Sequence, residues 1–274
     1  MNKILTLTIL VFASTAAFCQ QQEPETAVYS NGKYEGAYKD GKRDGMGKLI
    51  VDNGYSYNGQ WKDDKRNGTG IAVFRDGSTY QGDWKNDRRT GNGTYQFKNG
   101  DRYQGQFEDD LLHGTGTYFY ANGDKYEGEV NHGFITGKGV FYYATSERYE
   151  GQVLNGQKNG KGKYNYTNGN VYEGGFKLDK KEGIGKMTFA NGDVYEGEFK
   201  ANHRTGKGVF TWANGDKYEG EFNNGVQQGA GTFTWANGDK FIGNWIANQR
   251  DGKGTLITKD GRQTAEVYSH GKKL

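Results

Sequence analysis

Tyr195-Glu196-Gly197-Glu198-Phe199, followed by Gly206-Lys207-Gly208, sets the pattern on which the chain is built. Aromatic residues and glycine alternate with carboxylates, the period of two that marks a β-strand. Tyr195, Gly197 and Phe199 therefore share one face, and Glu196 and Glu198 the other. The same opening recurs at Tyr34, Tyr57, Tyr80, Tyr103, Tyr126, Tyr149, Tyr172, Tyr218 and Phe241, each 23 residues from the next without insertion. The Gly-x-Gly keeps step from Gly45 and Gly47 to Gly252 and Gly254. A fixed period of this length signals stacked units, none of which buries its apolar face alone.

Within the eighth unit, Lys200 to Lys207 reads as a polar, glycine-punctuated loop, and Val209-Phe210-Thr211-Trp212 as a second strand. Asn214-Gly215 then marks a turn. Face parity demands an odd loop, so we expect a three-residue turn Asn214-Gly215-Asp216 with Gly215 left-handed and Trp212 opposite Tyr218. Glycine at the third position (Gly36, Gly59, Gly82 and their equivalents) is expected to lie beneath an aromatic ring. Each Gly-x-Gly serves a tight loop or bulge; no helix follows it to make a phosphate site.

These residues carry a resemblance. The Tyr-Glu-Gly-Glu-Phe opening, the later Gly-Lys-Gly and the 23-residue unit over residues 34–255 resemble MORN repeats (membrane occupation and recognition nexus). The resemblance implies stacked hairpins in a long curved sheet and a scaffold or binding role, with proteins and phospholipids as proposed partners. Some relatives carry the repeats beside a lipid-kinase or methyltransferase domain, for which this chain has no room. The expected fold is all-β: an elongated, twisted, single antiparallel sheet of stacked β-hairpins, about 21 strands and ~100 Å long.

Four segments follow. Residues 1–19 read as an export signal, with Lys3 before the apolar run Ile4 to Phe12 and small residues ahead of Gln20. Cleavage after Ala17 or after Cys19 fits; Cys19 as a lipid-modified cysteine is disfavoured by bulky Phe18. Residues 20–30 are a polar linker, 31–255 the array, and 256–274 a degenerate cap hairpin in which Thr264 holds the slot of an eleventh tyrosine. The apolar run is too short for a stable transmembrane anchor, so none is expected after signal cleavage. Periplasmic, extracellular or cell-surface locations all remain open.

Composition narrows the function. The chain has 46 Gly among 274 residues and only 33% hydrophobic residues, but 20 Tyr, 15 Phe and 5 Trp argue against disorder and for a thin aromatic layer. A net charge of +3 is too balanced for a nucleic-acid partner. Carboxylate pairs such as Glu196 and Glu198 recur from unit to unit, whereas catalysis needs one singular constellation. No enzyme, cofactor or metal is expected. Asn-Gly-Asp triplets read as turns rather than calcium loops. His113, His132, His203 and His270 show no metal-ligand spacing and read as surface loop residues.

Departures among the repeats suggest where partners bind. Lys42-Arg43, Lys65-Arg66 and Arg88-Arg89 form a basic ridge, either a solubilising edge or a contact for anionic lipid headgroups or an acidic protein. The same slots then hold Leu111-Leu112 and Phe134-Ile135, while Val130 and Val153 replace the usual aromatic at position five (the tyrosine counted as one). Thr145-Ser146 replaces Asn-Gly, and a left-handed Ser146 would cost about 1 kcal/mol. Residues 107–155 are thus the expected contact region of a non-catalytic scaffold binding a protein or envelope component. The alternative, a glycan-binding face, requires Trp61, Trp84, Trp212, Trp235 and Trp245 to be exposed.

Overall fold

A computed structural model describes residues 32–274; the expected signal and the whole of the linker lie outside the described residues. The described chain is all strand and turn, one open antiparallel sheet of 22 strands in which each strand pairs with the next. The eighth unit is β15 (Val194–Lys200) and β16 (His203–Thr211), and the other units repeat it. The array closes with β20 (Gln249–Ile257), β21 (Gln263–Ser269) and a short β22 (Lys272–Lys273). The degenerate end thus forms its hairpin and one further short pairing.

The anticipated long loop is absent. Ala201 and Asn202 alone connect β15 to β16, both left-handed at φ 47° and 76°, the primed-turn geometry that matches strand twist. Residues 203–208 belong to the second strand, and their polar character reflects a bulge. Pairing runs Gly197↔Gly208 and then jumps to Glu198↔Thr205, with Gly206 at φ 56°. Extra residues opposite a strand leave polar groups unpaired. Here Tyr195 Oη donates to Glu198 O at 3.0 Å, and the Glu198 carboxylate accepts the Lys207 N–H at 3.0 Å.

At the other end of the hairpin, Gly215 is left-handed (φ 94°), but the loop is one residue earlier than expected. Trp212 N–H donates to Asp216 O, so the loop is Ala213-Asn214-Gly215 and Phe210, not Trp212, lies opposite Tyr218. The shift preserves parity, and the aromatic face is intact. Ser146 adopts φ 70° in the slot where neighbouring units use glycine.

Glycine faces glycine across consecutive strand pairs, from Gly36↔Gly47 through Gly197↔Gly208 to Gly243↔Gly254. Each tyrosine ring lies over its own glycine and the glycine opposite: a Cβ at Gly208 would meet the Tyr195 hydroxyl at 2.5 Å and its ring at 2.6–2.7 Å. The first aromatic layer therefore rests directly on backbone. Tyr57, Tyr80, Tyr103, Tyr126, Tyr149, Tyr172, Tyr195 and Tyr218 are fully buried although the sheet has no second layer. Their outer cover comes from position five. Tyr195 sits edge-on between Phe199 of its own unit (5.2 Å) and Phe222 of the next (5.0 Å), an arrangement favourable to aromatic quadrupoles. At the far end Tyr268 takes the next position-five slot and caps Phe241 at 5.3 Å.

Candidate functional site

Both edges of the sheet are stitched from unit to unit by side chains. At the edge of two-residue turns, Asp87 accepts the Arg66 N–H (2.9 Å) and Nε (3.1 Å) on Oδ1, while Arg66 Nη2 donates to Asp87 O (2.8 Å). The guanidinium also lies 4.2 Å from the Trp84 ring. Arg43 with Asp64 and Arg89 with Asp110 repeat the clamp. At the opposite edge the Asn-Gly-Asp turns do the equivalent. Asp193 Oδ1 accepts the Ala213 N–H at 2.9 Å, and Asp216 Oδ1 the Ala236 N–H at 2.9 Å.

The basic ridge accordingly divides. Lys42, Lys65 and Arg88 are exposed, whereas Arg66 and Arg89 are buried and Arg43 half-buried in clamps. Of the exposed three, Lys42 faces Asp63 at 3.5 Å and Arg88 faces Asp109 at 3.2 Å. Alternation along the second strand causes the split: position nine faces solvent and position ten the aromatic layer.

The apolar replacements divide by the same alternation. Leu112, Val130 and Val153 are buried, and Ile135 packs against the core. Leu111 is half-buried, and Phe134 is 41% exposed. Two residues not singled out from the sequence join them at this edge: Leu154, 47% exposed, and Leu178, 56% exposed. Other units put mostly lysine at the first slot and mostly Asp or Asn at the second. Leu178 is also left-handed at φ 49°, where a non-glycine residue costs about 1 kcal/mol or more.

Leu112 and Ile135 occupy the clamp position, and their partner turns carry Gly133 and Gly156 in place of the carboxylate. Only the backbone bonds remain, Gly133 N–H to Leu112 O (2.9 Å) and Gly156 N–H to Ile135 O (2.8 Å). The residue 21 positions on is Asp for Arg43, Arg66 and Arg89 and Gly for Leu112 and Ile135, while Arg204 and Arg250 also meet glycine, at Gly225 and Gly271, through backbone bonds. The Arg–Asp clamp carries a stability prediction. Arg66→Leu and Asp87→Gly should each destabilise the chain by about 1–3 kcal/mol, since each leaves a polar group unmatched. The double substitution recreates the Leu112/Gly133 pairing and should cost at least about 1 kcal/mol less than the sum in chemical denaturation.

Trp61, Trp84 and Trp245 are only 5%, 3% and 6% exposed, which removes the condition on which the glycan-binding face depended. Trp212 and Trp235 are half-buried against the core. Two of the four histidines come together across units: Glu108, His113 and His132 bring their donor atoms within 4.8 Å of one another, while His203 and His270 are exposed. Stacking, rather than sequence spacing, brings them together. The carboxylates of the recurrent pairs are occupied structurally: Glu198 serves the bulge, and Glu196 meets Lys186 at 2.7 Å.

Among the described residues no helix is long and apolar enough to cross a membrane. Solved structures with a partial likeness to the chain include the TCP10 domain of Danio rerio CPAP in complex with a peptide of Danio rerio STIL (10% identity, 86% of this chain, 100% of that chain, TM-score 0.41). Another is the Drosophila melanogaster SAS-4 TCP domain in complex with a proline-rich motif of Ana2 (14% identity, 57% and 84% of the two chains, TM-score 0.39). No curated protein matches the sequence. The MORN repeat matches ten consecutive segments, beginning at residues 34–54 and 57–79 and ending at 241–261. With its glycine spine, tyrosine layer and unit length all in place, the chain belongs to the MORN repeat family.

Proposed function

We propose that this MORN repeat protein is an exported, non-catalytic scaffold that binds another protein along the two-residue-turn edge of its fourth to seventh units. The observation that carries the reading is the exposure of Phe134, Leu154 and Leu178 beside half-buried Leu111. Neither packing nor turn geometry requires apolar residues there, and exposed apolar groups gathered at one edge favour a partner. The recurrence and structural engagement of the carboxylates support a role without chemistry. The apolar segment after Lys3 supports export, with the partner a periplasmic, extracellular or cell-surface component.

The test compares the mature chain with a variant carrying Leu111→Ser, Phe134→Ser, Leu154→Ser and Leu178→Asn as baits in envelope extract. The variant should keep its fold, because three of the four side chains are exposed and the fourth is half-buried. It should lose the partner that the unaltered chain retains, and equal retention would refute the binding edge. Anionic lipid is the second reading, resting on Lys42, Lys65 and Arg88. Binding to anionic vesicles that weakens with salt and with charge reversal at these three positions would support it.

A further inference from the structure

We propose that Glu108, His113 and His132 form a binding site for one divalent transition-metal ion of the zinc class, joining the fourth and fifth units. The three residues come from slots where most other units carry different chemistry. Position six is lysine at Lys39, Lys62 and Lys85 but Glu108 in unit four. Position eleven is Asn67 or Thr90 in preceding units but His113 here, and position seven is Asp63 or Asn86 but His132 here. The array brings positions eleven and seven of successive units together elsewhere too. Glu182 accepts the Ala201 N–H at 3.0 Å, and Asp251 accepts the His270 N–H at 3.0 Å, each 19 residues apart. His113 and His132 use this same juncture to place two imidazoles side by side.

The geometry suits a metal. Glu108 Oε2 lies 3.3 Å from His113 Nε2, close to the ~3.3 Å edge of a tetrahedron with zinc–ligand bonds of about 2.0–2.1 Å. The two imidazole centroids are 5.3 Å apart and nearly perpendicular. His132 Nδ1 is 2.6 Å from Asn131 Oδ1. A proton held there by the amide oxygen leaves Nε2 as the free lone pair, which is how outer partners set a ligating histidine's tautomer. His113 Nδ1 is shielded and lacks a partner, so Nε2, beside Glu108, is its available donor. Two imidazoles and a carboxylate favour zinc and its neighbours over magnesium or calcium, and the exposed side leaves a fourth position for water or another ligand.

The location gives the ion a structural task. The joint between units four and five is the first at which the Arg–Asp clamp gives way to Leu112 and Gly133. A metal held by Glu108 and His113 of one unit and His132 of the next would staple the units where the polar clamp is missing.

The test is calorimetric titration of the mature chain with zinc chloride in a buffer free of chelators. Thermal melting with and without zinc, and the absorption spectrum of the cobalt-loaded chain, accompany it. One equivalent should bind, zinc should raise the melting temperature, and cobalt should show the bands of low-coordinate nitrogen and oxygen ligation. Glu108→Lys, His113→Asn and His132→Asn insert residues that the array already uses at those slots, so the fold should persist. Each should weaken zinc binding about tenfold or more and abolish the thermal shift, whereas His203→Asn should change neither. Failure of the unaltered chain to bind zinc more tightly than about 100 µM, or equal binding by the His113→Asn and His132→Asn variants, would overturn the proposal.

Discussion

Gly208→Ala is expected to destabilise the eighth unit by about 3 kcal/mol, the upper part of the usual range for overpacking. The added methyl would lie 2.5 Å from the Tyr195 hydroxyl and 2.6–2.7 Å from its ring. That ring is fully buried and held edge-on by Phe199 and Phe222, so it has little room to retreat. Displacing it would also break the Tyr195 hydroxyl's bond to the Glu198 carbonyl at the bulge. Stability in a repeat array is close to a sum of unit and interface contributions, so damage at one unit should uncouple the flanking segments. Urea denaturation should change from one transition to two. Lys207→Ala, one residue away with its side chain in solvent, should shift stability by no more than about 0.5 kcal/mol. A Gly208→Ala chain as stable as the Lys207→Ala chain would show that ring and backbone are not in contact.

A steep alkaline unfolding is the second large effect. Burial pushes the Tyr103, Tyr195 and Tyr218 phenols up to about 12, and moves those of Tyr57, Tyr80, Tyr126, Tyr149 and Tyr172 in the same direction. An unfolded tyrosine titrates near pH ~10. Below that pH both states hold the phenolic proton, and the stability conferred by burial is fully present. Above it the unfolded chain releases protons that the folded chain retains, so stability falls as pH rises through the folded values. Because the same phenol recurs along the array, unfolding should release several protons together. Circular dichroism should be unchanged at pH ~9 and lost cooperatively between about pH 10 and 12, in step with tyrosinate absorbance. Graded phenol ionisation near pH ~10 with the strand signal intact would contradict the burial of this layer.

Strand parity and period carried most of the architecture. Tyr195, Gly197 and Phe199 on one face followed from alternation alone, and the left-handed Gly215 followed from the need to keep that face continuous. Polarity alone does not mark where the second strand begins. Residues 200–207 contain no apolar run, yet most of them belong to a strand, because a bulge stabilised by Tyr195 and Glu198 lets polar residues pair. The same alternation separated Lys65 from Arg66 and Leu111 from Leu112, and it becomes visible only once position nine is known to begin a strand. Long-range partners were harder still. Glu108 and His132 stand 24 residues apart, and only the stacking of turn upon turn makes them neighbours.

Small-angle scattering of the mature chain tests most directly the claim that function resides in one long surface built from stacked hairpins. Twenty-two strands at ~4.8 Å spacing predict a maximum dimension of about 100 Å and a radius of gyration of ~30 Å. A radius of ~18 Å, expected of a compact domain of this length, would show that the hairpins do not stack into one extended sheet.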